Sequence, residues 1–260
     1  MTVEEMRRRK QELGLSYAQI SQRAGLPRGT VQKVLGGFTK SPRYSTLAAL
    51  ERCLSENAAC EKQMLREGAP SYDGRQQGQY TVKDYLALPE ERRAELIDGV
   101  LYDMAAPAIV HQLITGCVYA ELLRHQREQH GSCTPMIAPV DVQLDGDDRT
   151  IVQPDILVLC DPSKRTQLRI VGAPDLIIEV LSPGTREKDL YLKLSKYRNA
   201  GVREYWIIDP GLRRVIVYDF QHEDLIRLYT FRDRIPVGIS EGNCVIDFAG
   251  IDDYIQPYLG

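Results

Sequence analysis

Two apolar runs, Val152-Gln153-Pro154-Asp155-Ile156-Leu157-Val158-Leu159 and Pro174-Asp175-Leu176-Ile177-Ile178-Glu179-Val180-Leu181, have the length and composition of strands buried on both faces of a sheet. Each carries an acid where that burial calls for a hydrocarbon: Asp155 in the first, Glu179 in the second. A carboxylate taken out of water costs roughly several kcal/mol unless a cation or hydrogen-bond donors replace its hydration, so the pair points to a bound metal or to a buried lysine. The two acids are 24 residues apart, enough for a strand, the polar loop 161–169 and a returning strand, and they can therefore sit side by side on paired strands. Two carboxylates and a backbone carbonyl, for which Val180 is placed, make half of an octahedral oxygen site that water completes, which suits Mg2+ or Mn2+. Such a metal activates water and stabilises charge on a phosphate, the chemistry of phosphodiester hydrolysis. The same two residues also read as halves of a structural ion pair.

Elsewhere the apolar spacing gives helices over 3–13, 17–24, 28–35 and about 44–54, then over 82–88, 90–97 and 111–129. Strands are expected over 100–104, 135–144, 152–159 and 175–181, a helix over 186–199, and strands over 204–208, 214–218 and 225–231. The glycine- and proline-bearing stretch 68–80 reads as a linker between an all-α unit, residues 1–67, and an α/β unit, residues 81–260, whose central strands are covered on both faces.

The net charge of −3 conceals two opposite balances: residues 1–70 hold 12 Lys and Arg against 7 Asp and Glu, while residues 71–260 hold 21 against 29. A basic end on an acidic body suits a nucleic-acid contact confined to that end. No apolar stretch reaches the roughly 18 residues of a membrane span and the first residues lack a secretory apolar segment, so a cytoplasmic protein is expected. The six cysteines contain no C-x-x-C pair, which argues against a zinc module and favours reduced thiols.

In Tyr17-Ala18-Gln19-Ile20-Ser21-Gln22-Arg23-Ala24-Gly25-Leu26-Pro27-Arg28-Gly29-Thr30-Val31-Gln32-Lys33-Val34-Leu35, a helix runs to Ala24-Gly25, a short turn follows and a second helix buries Val31 and Val34. The spacing resembles the lambda-repressor-like helix-turn-helix family over about residues 3–55. That resemblance implies a duplex-DNA contact through Arg28, Thr30, Gln32 and Lys33, with Tyr17 at a position that seats the module on the backbone.

The arrangement Pro154-Asp155…Glu179-Val180-Leu181 resembles the PD-(D/E)XK nuclease motif, with Leu181 where the lysine is expected. From Leu96 to Tyr218, including Glu95-Leu96-Ile97-Asp98-Gly99, His111, Val140-Asp141-Val142-Gln143-Leu144 and Lys193-Leu194-Ser195-Lys196-Tyr197, the chain resembles the Uma-type restriction endonuclease family of that superfamily. The resemblance implies a restriction-endonuclease-like mixed sheet with flanking helices and a Mg2+- or Mn2+-dependent endonuclease. It places the displaced lysine at Lys193, adds Glu95 as an assisting carboxylate, and makes a homodimer the expected assembly. Taken by their spacing alone, Asp189 and Lys193 form an ordinary i, i+4 ion pair. A regulator with a catalytically silent nuclease-like domain is the alternative.

Overall fold

The computed structural model describes residues 2–12, 17–24, 26–36, 39, 42, 46–47, 50, 54, 76–144, 146, 148–182, 188–222 and 225–259. The chain divides into two compact units, Met1–Asp73 and Gly74–Gly260.

The first unit contains α1 (Val3–Glu12), α2 (Tyr17–Ala24) and α3 (Arg28–Leu35). Met6, Ile20, Val31, Val34, Leu35, Leu50 and Leu54 form its core, with Tyr17 and Leu26 packed against them. The segment between α2 and α3 is closed by Leu26 donating its N–H to the Ser21 carbonyl and by the Ser21 hydroxyl donating to the Leu26 carbonyl, at 3.1 and 2.6 Å. Most of the helix expected over 44–54 lies outside the described residues.

The second unit opens with α4 (Val82–Leu86), fixed by a capping box in which Thr81 and Asp84 exchange side-chain-to-backbone bonds. Then follow the hairpin β1 (Ala94–Ile97) and β2 (Val100–Asp103), the long α5 (Ile109–Gln129), β3 (Thr134–Ile137), β4 (Val142–Gln143), β5 (Ile151–Val152), β6 (Ile156–Leu159), β7 (Ile170–Val171) and β8 (Leu176–Val180). A π-helical segment, Lys188–Lys193, leads into α6 (Leu194–Ala200), and β9 (Glu204–Asp209), β10 (Arg214–Asp219), β11 (Leu225–Thr230), β12 (Arg234–Pro236), β13 (Val245–Asp247) and α7 (Phe248–Ile255) complete it.

Six strands form the main sheet in the order β11-β10-β9-β8-β6-β3, with β8 and β9 parallel and the other neighbours antiparallel. A smaller sheet runs β2-β1-β5-β4-β7. Side-chain alternation divides the core between the two faces of the main sheet. Ile156, Val158, Ile178, Trp206 and Ile208 pack with Ile114, Val118 and Leu122 of α5 and with Phe248 of α7. Leu157, Leu159, Ile177, Leu181, Tyr205 and Ile207 pack with Ile97, Val142 and Val152 of the small sheet and with Tyr197 of α6. With both faces covered, β8 and β9 are buried along their whole length, as near-continuous apolar strands require. The architecture is the mixed α/β layering with flanking helices expected from the sequence.

Four local expectations are corrected. Residues 94–97, expected in a helix over 90–97, form β1, because Asp98 and Gly99 adopt φ of 51° and 76° and close a tight hairpin onto β2. The strand expected over 152–159 is two strands in two sheets: Pro154 has no N–H for a ladder, and Asp155 falls just before β6. The strand expected over 135–144 likewise divides into β3 and β4, with a cis Ala138–Pro139 bond between them. Cys133 and Cys160, expected as free thiols, are joined in a disulfide, because the β3–β6 register that pairs Thr134 with Leu159 places them opposite each other. Cys117 and Cys244 are free. Among the described residues no helix is long and apolar enough to cross a membrane.

Candidate functional site

The antiparallel register pairs Ile156 with Ile178, and one further step sets Asp155 opposite Glu179. Residues 155, 157 and 159 share a face with 177, 179 and 181, so both acids project toward the layer formed by the small sheet, the π-helical segment and α6. Glu179 lies within β8 and is 3% exposed; Asp155, one residue before β6, keeps a side-chain exposure of 19%.

Each carboxylate is held by one oxygen. Asp155 Oδ2 accepts the Val180 backbone N–H at 2.7 Å and lies 3.1 Å from His111 Nε2, at the first turn of α5. Glu179 Oε1 accepts from the Lys193 ammonium at 2.8 Å and from the Tyr197 hydroxyl at 2.6 Å. Among the described residues, Asp155 Oδ1 and Glu179 Oε2 accept no hydrogen bond.

A third carboxylate joins them from the small sheet. Glu95 on β1 is 0% exposed; its Oε1 lies 2.7 Å from Lys193 Nζ and accepts the Gln153 N–H at 3.0 Å, while its Oε2 meets Lys188 Nζ at 2.5 Å. Asp189 Oδ1 lies 3.4 Å from Lys193 Nζ, and the Tyr205 hydroxyl donates to the Asp189 carbonyl. Lys193, itself 3% exposed, is thus enclosed by Glu95, Glu179 and Asp189. All four residues named from the sequence for the chemistry, Glu95, Asp155, Glu179 and Lys193, fall in this one cluster, and Val180 is tied to it through its N–H. Lys188, Tyr197 and the contact of His111 were not assigned.

The electrostatics follow from the count. Four carboxylates face two ammonium groups, a surplus of two negative charges, or of one when His111 carries a proton. Burial raises the Glu95 pKa, but Lys193 and Lys188 outweigh it and hold the carboxyl down at about 2. In Glu179 burial wins: with Lys193 shared and Asp189, Asp155 and Glu95 nearby, its carboxyl is pushed up to about 8. Burial lowers the His111 pKa, yet the hydrogen bond and charge of Asp155, with the Val180 backbone, leave it raised. Lys193 stays well above its ordinary value because the surrounding carboxylates overcome its burial.

These features bear on whether a divalent cation fits. Among the described residues no three His, Cys, Asp or Glu side chains are grouped to hold an ion by themselves, so the side-chain donors here reduce to the carboxylates of Asp155 and Glu179. The open oxygens of Asp155 and Glu179, on opposed residues, are hard ligands of the type Mg2+ and Mn2+ take. The charge surplus is of the sign a cation would neutralise. The residues fit.

The DNA-facing residues named from the sequence lie in the first unit. Gln32 and Lys33 are exposed on α3, and Thr30 is half-buried. Tyr17 is half-buried against the core, with the Lys10 ammonium 4.7 Å from its ring centroid. The backbone of Arg28 opens α3; its side chain lies outside the described residues.

A mixed α/β domain carries the cluster, with two acids opposed near the centre of its main sheet and lysines supplied by the covering helix. Its fold is that of a crystal structure of a putative nuclease belonging to DUF820 from Anabaena variabilis ATCC 29413, 24% identical, with a TM-score of 0.55 over 66% of this chain and 98% of that one. An uncharacterized protein of Synechocystis sp. (strain ATCC 27184 / PCC 6803 / Kazusa) is 26% identical over 166 residues, 61% of this chain and 86% of the relative. Residues 82–237 match the Uma2 family, described as putative restriction endonuclease, and the chain belongs to that family.

Proposed function

We propose that the protein is a metal-dependent endodeoxyribonuclease that hydrolyses phosphodiester bonds of double-stranded DNA. The observation that carries this reading is the opposition of Asp155 and Glu179, each anchored through one oxygen and, among the described residues, accepting no hydrogen bond at the other. Asp155, Glu179 and the Val180 carbonyl would hold Mg2+ or Mn2+, which when bound supplies a Lewis acid for the phosphate and lowers the pKa of the attacking water. The chain's own groups do the rest. Lys193 fixes Glu179 and offsets its charge, Tyr197 sets the same carboxylate oxygen, and Glu95 keeps Lys193 protonated and in place. Family membership supports nuclease chemistry independently of this geometry.

Residues 1–67 are proposed as a helix-turn-helix domain that delivers duplex DNA, with Gln32, Lys33, Thr30, Arg28 and Tyr17 as its contact set, joined by the linker 68–80 to the nuclease domain 81–260. A homodimer would place two nuclease sites for the two strands. A second reading, a regulator with a silent nuclease-like domain, draws support from the −8 balance of residues 71–260, which disfavours an independent grip on DNA.

Supercoiled DNA incubated with the protein and Mg2+ or Mn2+ decides between them. Nicking that is lost in Asp155→Ala and Glu179→Ala supports the nuclease; intact DNA binding with no cleavage under either metal supports the regulator.

A further inference from the structure

The two lysines of the cluster are not equivalent, and the π-helical segment is the reason both are in it. Lys188 and Lys193 are five residues apart. In an α-helix that spacing turns side chains about 140° away from each other. With i→i+5 hydrogen bonding, residues five apart stand one turn above each other on the same side. The consequence is visible at Glu95: Lys193 meets its Oε1 and Lys188 its Oε2, so both ammonium groups grip one buried carboxylate.

An ammonium group has three N–H bonds to donate. Lys193 faces three carboxylates within 3.4 Å and is 3% exposed, so its donors are directed into the protein. Among the described residues Lys188 makes one ion pair, with Glu95, and its Nζ lies 5.7 Å from the Tyr102 ring centroid. Among the described residues two of its donors meet no acceptor, and its side chain keeps a 10% exposure. A cation with spare donors, tethered beside a set of carboxylates suited to a divalent ion, is placed for an anionic oxygen that arrives with the substrate.

We propose that Lys188 contacts a DNA phosphate at the cleavage site, while Lys193 is the internal brace that positions Glu179. This deepens the nuclease reading and rests on it. The π-helical turn is what separates the two roles: an α-helical turn with the same sequence would carry Lys188 off the Glu95 side and leave Lys193 alone.

The test uses the full chain and one DNA duplex. In Lys188→Met, single-turnover nicking with Mn2+ is expected to fall on the order of 100-fold, as for loss of a charge-stabilising donor, with Lys188→Arg recovering part of the rate and Mn2+ affinity unchanged within about threefold. With Ca2+ replacing Mn2+, the slope of log K against log[KCl] for duplex binding is expected to become shallower by about 0.9, the signature of one lost phosphate contact. Nicking within about threefold of wild type together with an unchanged slope overturns the proposal. Should Lys188→Met fail to fold because Glu95 is left unpaired, the same slope is measured for Glu95→Gln and for Glu95→Gln with Lys188→Met. Equal slopes in that pair overturn the proposal, and a difference of about 0.9 supports it. If wild type neither binds Mn2+ nor nicks DNA, the nuclease reading fails, whereas the slope still decides whether Lys188 meets phosphate.

Discussion

At the scale of single residues, the cluster makes unequal demands on its two buried glutamates. Glu95 has two lysines and a backbone N–H; Glu179 shares Lys193 and has the Tyr197 hydroxyl. Removing the common partner in Lys193→Met is therefore expected to destabilise the fold by about 3–5 kcal/mol near neutral pH, the range for breaking a buried ion pair, read from denaturant midpoints. The loss should be larger at pH 9, where Glu179 is ionised, than at pH 6, where it is protonated; an equal loss at those two pH values would contradict the arrangement. Glu179 itself has a folded pKa raised to about 8 from 4.5. A raised folded pKa gives a contribution to stability that is fully present below about 4.5 and is lost as pH rises through about 8. Metal-free wild type should thus lose stability relative to Glu179→Gln across that window, and a constant difference between them would contradict the burial of an ionisable group there. Glu95 runs the other way. Its carboxyl, held at about 2, contributes stability above its ordinary pKa that disappears only as pH falls toward 2.

At the scale of elements, the hairpin that carries Glu95 depends on its turn. Gly99 has φ of 76°, and a Cβ added there would lie 2.8 Å from the Gly78 carbonyl oxygen, which is backbone and cannot swing away. Gly201, which ends α6 with φ of 91°, has nothing within 4 Å of an added Cβ. Gly99→Ala should therefore cost more than Gly201→Ala, about 2–4 kcal/mol against about 1–2, in thermal melts of otherwise identical protein; the reverse order would contradict the packing of the turn. The Asp98-Gly99 pair was also the sign in the sequence that 94–97 is a strand, but Glu90 to Ile97 matched a helical spacing and the local turn chemistry decided otherwise. The strands β8, β9 and β10 were legible because continuous apolar runs bounded by turns have few other solutions. The break at Pro154 was legible in principle, since proline cannot sit inside a central strand. Asp189, Lys193 and Tyr197 follow i, i+4 spacing along one face and were within reach of the same reading. Lys188 was not, because the α-helical period sets it off that face and only the π-helical turn brings it back.

At the scale of the whole molecule, basic and acidic charge are separated between residues 1–70 and 71–260, and the proposed division of labour follows that separation. Lys33→Ala, which alters an exposed residue of α3, is expected to weaken duplex binding and make its salt dependence shallower while leaving Mn2+ binding untouched; unchanged DNA affinity would remove α3 from the DNA contact. In the second unit the controlling fact is the surplus of negative charge around Lys193, which a proton on Glu179 or a divalent cation can relieve. Calorimetric titration of the metal-free protein with Mn2+ at pH 7, repeated in buffers of different ionisation enthalpy, reads this directly. Wild type should bind Mn2+ with release of a proton, and Asp155→Ala should lose the binding. Binding with no proton release, or binding that Asp155→Ala retains, would contradict a metal centre built on the opposed acids of β6 and β8.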